Sequence, residues 1–278
     1  SVFTRAFAPL LFPVVRAQAP YCYRYPLGLR RESCHIDCLG DLERQLEQHS
    51  GQTAAVLVEP MLQGAGGMIV WPAEFLAGVR ALCDRHGVLL IADEVLTGFG
   101  RTGRMFACEH AQVTPDILCL SKALTAGYLP LGVTAATEAV YDAFLSPDRA
   151  KTFFHGHSYT ANPLACAVAI ASLDLFRETG VLARVGRLEQ QLRTGLEPLR
   201  ARGRVGDVRV IGGVGVVELE GDADYLADIG PPLGAAFLER GLLLRPLGNV
   251  VYFMPPYVIT ESEAEWAIEQ IRDVIGNL

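Results

Sequence analysis

Three consecutive stretches constrain the fold most. "AAVLVEP" (54–60) is a short apolar run and reads as a buried strand. "PAEFLAGVRALCDRHG" (72–87) has a helical period: Phe75, Leu76, Val79, Leu82 and Cys83 share one face, Pro72 suits the first turn and Gly87 the end. "VLLIADEV" (88–95) is the next strand. Strand, helix, strand in this order implies a parallel sheet with helices on its faces. Two further strands are expected at "DILCLSKAL" (116–124) and "LGVTAAT" (131–137). A helix is expected over 162–176, with Asn162 as its cap and Pro163 in its first position.

After about residue 178 the texture changes. A polar amphipathic helix (181–202) leads to "VRVIGGVGVVELEG", a second strand set, and a terminal helix (261–277). The chain therefore divides into a large domain over 1–178 and a smaller α/β domain over 179–278. "IGGVGVVELEG" (211–221) superficially suggests a dinucleotide fingerprint, but it lacks the G-x-G-x-x-G spacing and no clear helix follows its glycines. It reads as strand.

Composition narrows the function classes. The 278 residues carry 24 basic and 31 acidic side chains, a net charge of −7, with no basic run to neutralise phosphates. That argues against a nucleic-acid partner. The longest apolar stretches fall short of the ~18 residues that span a bilayer, so no membrane partner is expected. The stretch Ala6–Val15 followed by "AQA" imitates a secretion signal, yet Pro9 and Pro13 interrupt it and Arg16 follows it. A cytoplasmic protein is expected. Seven cysteines without a regular framework favour free thiols and a reducing compartment. The spacing of Cys34 and Cys38 leaves structural thiols and a metal site both open, although no second cluster accompanies them. His155 and His157 lack a third ligand at a plausible spacing.

Two charged residues stand at strand ends. In open α/β sheets, ligands sit beyond the carboxyl ends of the strands. The run before Asp93 delivers that acid there, and "LCLSKALTAG" delivers Lys122 into a turn of Ser and Gly. A lysine is strongly hydrated and costly to bury alone. An acid and an amine at neighbouring strand ends suit pyridoxal phosphate chemistry. The amine would bond to the cofactor aldehyde, and the acid would keep the pyridine nitrogen protonated. On spacing alone an ordinary buried Asp–Lys pair fits as well.

The wider wording resembles a known family. "LVEPMLQGAGGM", "LLIADEVLTGFGRTGRMFACEH", "PDILCLSKALTAGYLPLG", "FFHGHSYTANPLACA" and "LRPLGNVVYFMPPYVIT" occur in the order found in class III aminotransferases of PLP fold type I. These stretches run from about residue 54 to 260. The resemblance implies an α/β fold with a three-layer αβα large domain, incomplete at its N-terminus, and a smaller C-terminal α/β domain. It implies pyridoxal 5'-phosphate as cofactor, small-molecule substrates and a homodimer with active sites at the interface. Lys122 matches the family's cofactor-bonding lysine and Asp93 its pyridine-nitrogen partner. Ser158 lies where the family has a hydroxyl that hydrogen-bonds the cofactor phosphate, typically of the neighbouring subunit. Arg245 resembles the arginine that clamps a substrate carboxylate, a role its planar fork suits. Tyr252 and Arg101 match further substrate-side positions.

The wording is closest to the family's biotin-pathway branch. That branch aminates 8-amino-7-oxononanoate to 7,8-diaminononanoate with S-adenosylmethionine as donor. Where ornithine-type members carry an acid after "QG", this chain has Ala65. Gln63 and the glycines of "QGAGG" line the family's active-site side, whereas on their own they read as a flexible loop between strand and helix. Glu59 is expected to support that loop. The family enzyme is longer at its N-terminus, where it carries the turn that cradles the phosphate. The alternatives to a biotin-branch enzyme are an ω-amino acid aminotransferase of the same class and a catalytically inactive fragment acting through protein contacts.

Overall fold

The strand–helix–strand unit forms where the pattern places it. The computed structural model describes residues 2–25, 27–29, 31–222 and 224–278. In chain order, the first half contains α1 (Leu39–Gln48), β1 (Ala55–Val58), the short pair β2 (Leu62–Gln63) and β3 (Ile69–Val70), α2 (Ala73–His86), β4 (Leu89–Asp93), β5 (Ile117–Leu120), β6 (Val133–Ala136), α3 (Glu138–Asp142) and α4 (Pro163–Glu178). The second half contains α5 (Val181–Leu196), β7 (Val205–Ile211), β8 (Val214–Leu219), α6 (Gly230–Glu239), β9 (Val250–Phe253) and α7 (Glu261–Gly276).

The larger sheet has the order β1-β4-β5-β6. β1, β4 and β5 are parallel neighbours. β6 departs from the expected all-parallel arrangement and pairs antiparallel to β5. Its link from β5 holds only a single 3-10 turn, Lys122–Thr125, and a parallel crossover needs a longer excursion. One face of the sheet is covered: Val56, Val58, Leu90, Ala92 and Leu118 pack with Phe75, Leu76, Val79 and Cys83 of α2 and with Leu42 and Leu46 of α1. Helix α2 ends as its sequence demands, with Gly87 in the left-handed region at φ 64°. The opposite face has no covering layer over β1 and β4 among the described residues: Leu57 is 63% exposed. Two layers of the expected three are therefore present there.

The smaller sheet is antiparallel, in the order β7-β8-β9. The stretch 211–221, expected to be one strand, is the end of a hairpin that turns at Gly212–Gly213. Gly212 has φ 50°, and a Cβ there would lie 2.4 Å from the carbonyl carbon of Thr102, so the turn meets the large domain only as glycine. One sheet face packs on Leu192 and Leu196 of α5, Phe237 of α6 and Ile271 of α7. The helix expected over 181–202 stops at Leu196, where Pro198 removes an amide donor and a 3-10 turn continues. The other sheet face turns toward the large domain: Ile211, Val214, Val216 and Val250 pack with Met61, Leu62, Met68 and Ala107. The loop expected over 63–67 lies between β2 and β3, whose residues pair as Leu62–Val70 and Gln63–Ile69. No helix among the described residues is long and apolar enough to cross a membrane.

A buried ion cluster ties this seam. Glu218 of β8 is fully buried and accepts from Arg24 Nε at 2.7 Å, Arg209 Nη1 at 2.7 Å and the Tyr21 hydroxyl. Arg209 in turn donates to the carbonyls of Met68 and Gly67, each at 3.1 Å. Burial alone would push the Glu218 carboxyl up, but the bonds from Tyr21 and Arg24 and the charge of Arg209 outweigh it and hold the group below its ordinary 4.5. Burial pushes the Tyr21 phenol well above its ordinary value, so it stays a donor. The sign of the pH effect follows. The Glu218 contribution is complete above pH 4.5, where the unfolded group is also ionised, and is lost as pH falls through the depressed folded value. Glu218→Gln is expected to cost about 3–5 kcal/mol at neutral pH by removing the carboxylate shared by Arg24 and Arg209 and leaving Arg209 with Asp207 alone. Urea midpoints measured from pH 7 to pH 3 should fall less steeply with acid in the variant.

Candidate active site

The parallel pairing of β1, β4 and β5 brings three strand ends side by side. Val58 pairs with Ala92 and Asp93 with Cys119, so Glu59, one residue past β1, stands level with Asp93. Val58, Ala92 and Leu118 point into the helix-covered core. Side chains alternate along a strand, so Glu59, Asp93 and Cys119 project from the other face. The charges act on one another there. Burial raises the Glu59 carboxyl, the Gly64 amide opposes this, and Asp93 and Lys122 push in opposite directions. Burial, then the Asp93 charge, raises the Cys119 thiol. Asp93 is half-buried, and its Oδ1 accepts from the Val95 amide at 3.0 Å.

Lys122 opens the turn that follows β5, with its backbone in the left-handed region at φ 41°. A non-glycine residue held there costs on the order of 1 kcal/mol or more. The surroundings enforce it: Ser121 Oγ donates to the Leu131 carbonyl at 2.7 Å, and Leu124 is buried against Phe99 and Ala169 of α4. The Lys122 side chain itself is exposed, and its charge acts on Glu59. The chain has only two lysines, Lys122 and Lys151, against 22 arginines. Unlike an arginine, an amine at this strand end is able to give up its proton.

Glu94, next to Asp93, does something different. It points into the interior, is fully buried, and accepts from the amides of Ala107 at 2.7 Å and Cys108 at 2.9 Å and from Thr97 Oγ1 at 3.1 Å. It thereby fixes the loop 95–108 that leaves the site. Burial raises its carboxyl, and the two amides offset part of that rise.

The remaining expected residues are spread over the seam and beyond. Tyr252 of β9 is half-buried in the interdomain cluster that also contains Leu96, three residues after Asp93. Arg101 reaches across the same seam. Its Nη1 donates to the carbonyls of Pro255 at 3.1 Å and Gly213 at 3.3 Å, and its guanidinium lies 4.4 Å from the Tyr257 ring centroid. Tyr257 donates to the Phe99 carbonyl at 2.8 Å. Arg245 is exposed in the link between α6 and β9, and Ser158 is exposed in the turn ahead of α4. Asn162 caps α4 by accepting from the amides of Leu164 at 2.9 Å and Ala165 at 3.3 Å. The structure thus groups Asp93 and Lys122, places Tyr252 and Arg101 at the adjoining seam, and leaves Arg245 and Ser158 on exposed loops. Cys34 and Cys38 are buried away from these residues: Cys34 Sγ donates to Tyr25 Oη at 2.7 Å, and the Cys38 amide donates to the same oxygen at 3.1 Å.

Residues 2–275 match the family described as aminotransferase class-III. The chain belongs to that family. Among class-III aminotransferases it is 49% identical to the adenosylmethionine-8-amino-7-oxononanoate aminotransferase of Geobacter sulfurreducens, over 99% of this chain and 62% of that protein. It is 48% identical to the enzyme of the same name from Nitratidesulfovibrio vulgaris, over 99% of this chain and 52% of that protein. The chain therefore spans between half and two thirds of the length of these relatives. The crystal structure of the Methanocaldococcus jannaschii enzyme of that name superposes with a TM-score of 0.89 at 34% identity, over 99% of this chain and 63% of the other. An amine transaminase from an uncultivated Pseudomonas species, solved in its PLP-bound form, gives 0.87 at 36% identity, over 93% and 60%.

Within this chain, sequence reasoning passed over Glu94, Arg209 and Glu218. Strand alternation carries the signal for the first: adjacent acids at a strand end cannot both face the site. The amide donors at 107 and 108 require an acceptor that is not itself a donor. Glu94→Gln is expected to destabilise the fold by about 1–3 kcal/mol, because a carboxamide nitrogen would confront one of them. Urea denaturation monitored by tryptophan fluorescence checks this, with Asp93→Asn, at the half-buried neighbour, expected to cost less.

Proposed function

We propose that this chain carries the chemistry-bearing part of a pyridoxal phosphate-dependent aminotransferase that converts 8-amino-7-oxononanoate to 7,8-diaminononanoate with S-adenosylmethionine as amino donor. The observation that carries the reading is that Asp93 ends β4 and Lys122 opens the turn after its parallel neighbour β5, with the charges of both acting on Glu59. The biotin branch is favoured over other class-III activities by identities of 49% and 48% to enzymes of that name and by Ala65 after "QG".

The donor set suits the cofactor at two of its ends. Lys122 Nζ is a primary amine able to hold the aldehyde carbon, and Asp93 is a carboxylate oriented by the Val95 amide and able to hold a proton on the ring nitrogen. When bound, the cofactor supplies a carbonyl that takes the amino group and a pyridinium ring that accepts the electron pair released at the substrate carbon. Lys122 Nζ then accepts and returns the proton at that carbon. Arg245, exposed on its link, pairs the substrate carboxylate through its planar fork. Arg101 and Tyr252 shape the seam beside it.

The phosphate end calls for several donors, since it carries about −1.5 to −2 charges. Ser158 is one hydroxyl, exposed ahead of α4. The reading therefore includes a homodimer in which Ser158 of each copy reaches the phosphate held by the other. The exposed apolar side chains of Tyr128, Phe144, Leu145, Phe153, Phe154 and Tyr159 on the same segment support such a partner. A second reading, an ω-amino acid aminotransferase, is favoured by a TM-score of 0.88 at 33% identity to the ω-transaminase of Thermomicrobium roseum.

Pyridoxal phosphate added to the 278-residue chain is expected to give the visible absorbance of a lysine-linked cofactor, and Lys122→Ala to abolish it while Lys151→Ala leaves it intact. Loss in the Lys151 variant, or no band in the parent, refutes the assignment of Lys122. Turnover with S-adenosylmethionine separates the biotin branch from activity with ω-amino donors alone.

A further inference from the structure

Two thiols meet around one phenol just ahead of α1. Cys34 Sγ donates to Tyr25 Oη at 2.7 Å, and the Cys38 amide donates to the same oxygen at 3.1 Å. The Cys38 thiol bonds that hydroxyl as well. The chain between the two cysteines folds back on itself. Ile36 is left-handed at φ 63°, its amide donates to Cys34 Sγ at 3.2 Å, and its carbonyl accepts from the Leu39 amide at 3.0 Å. Tyr25, Cys34 and Cys38 are all buried in the core that α1 and α2 share with the covered sheet face. Both cysteines are free of disulfides. Among the described residues no three His, Cys, Asp or Glu side chains gather to hold a metal ion.

A packed core would be served as well by small apolar side chains. Two thiols against one oxygen have a further option, since a disulfide needs its sulfurs to close to about 2.0 Å. The phenol oxygen touches both, so closure requires Tyr25 to withdraw. Tyr25 directly follows Arg24, whose Nε donates to Glu218 at 2.7 Å and whose Nη2 donates to the Gly221 carbonyl at 3.1 Å. One peptide unit thus joins the thiols to the buried ion cluster at the domain seam. We propose that Cys34 and Cys38 are a redox pair that closes to an intrachain disulfide, displacing Tyr25 and drawing Arg24 off Glu218. The oxidant is a small-molecule disulfide. One cysteine thiolate attacks it and releases one small thiol; the other cysteine attacks the mixed disulfide and releases the second. Two protein S–H bonds are lost and one S–S bond forms, while the small disulfide is reduced to two thiols.

The test uses the 278-residue chain and oxidised glutathione. Cys34 and Cys38 fall in one tryptic peptide, 32–44, and Cys22 in another, 17–24. Mass spectrometry without reduction is expected to show the 32–44 peptide lighter by two hydrogens, with dithiothreitol restoring its mass. Limited trypsin digestion of the folded chain reads the effect on Arg24. Once Arg24 leaves Glu218, cleavage of the Arg24–Tyr25 bond should accelerate about tenfold. Cys38→Ser should show neither the mass loss nor the acceleration, and Cys34→Ser repeats the control independently. A 32–44 peptide that keeps its mass, stops at a glutathione adduct, or is joined to Cys22 overturns the pair. An unchanged cleavage rate in the oxidised chain overturns its coupling to the ion cluster.

Discussion

Parallel pairing of β1, β4 and β5 is the constraint from which the site follows. Parallel strands all end on the same side, and the apolar runs that bury them must stop there. Whatever charge each run delivers is then collected in one row. Here the row is Glu59 and Asp93, level on neighbouring strands and aimed to one face by the side-chain alternation, with Lys122 in the turn that follows β5. No long-range folding device is needed to assemble it. The covered face contributes rigidity, because Val56, Leu90, Ala92 and Leu118 are locked against α1 and α2.

The second domain works on this row from outside. Its central strand β8 is buried on both faces, one toward its own helices and one toward the large domain. A strand in that position cannot carry a charge without full compensation, and Glu218 has it from Arg24, Arg209 and Tyr21. The cluster joins residues some 194–197 positions apart in the chain. Arg101 and Tyr257 make a second bridge at the seam with only carbonyls and an aromatic face as partners. Burial accordingly lowers the Arg101 guanidinium from its ordinary value, without releasing its proton.

Local chemistry made much of this legible in the sequence. Helix α2 announces itself through one apolar face between Pro72 and Gly87, and α4 through Asn162 and Pro163. Asp93 and Lys122 stand out because charged residues end apolar runs. The antiparallel turn of β6 was hidden behind the alternation expectation, although residues 121–132 hold no helical period long enough for a crossover. Pro198 marks the end of α5 more clearly than the amphipathic period that runs past it. Glu218 and Arg209 could not be read, since the partners that make their burial tolerable come from the first 25 residues and from the 64–68 turn.

The left-handed backbone of Lys122 fixes where the turn after β5 presents its amine. Glycine would relax that conformation, and most side chains would suffer there as lysine does. Lys122, in a chain that elsewhere has almost wholly replaced lysine by arginine, is one of several non-glycine residues, Met61, Met68, Phe99 and Ala126 among them, that packing holds in this region.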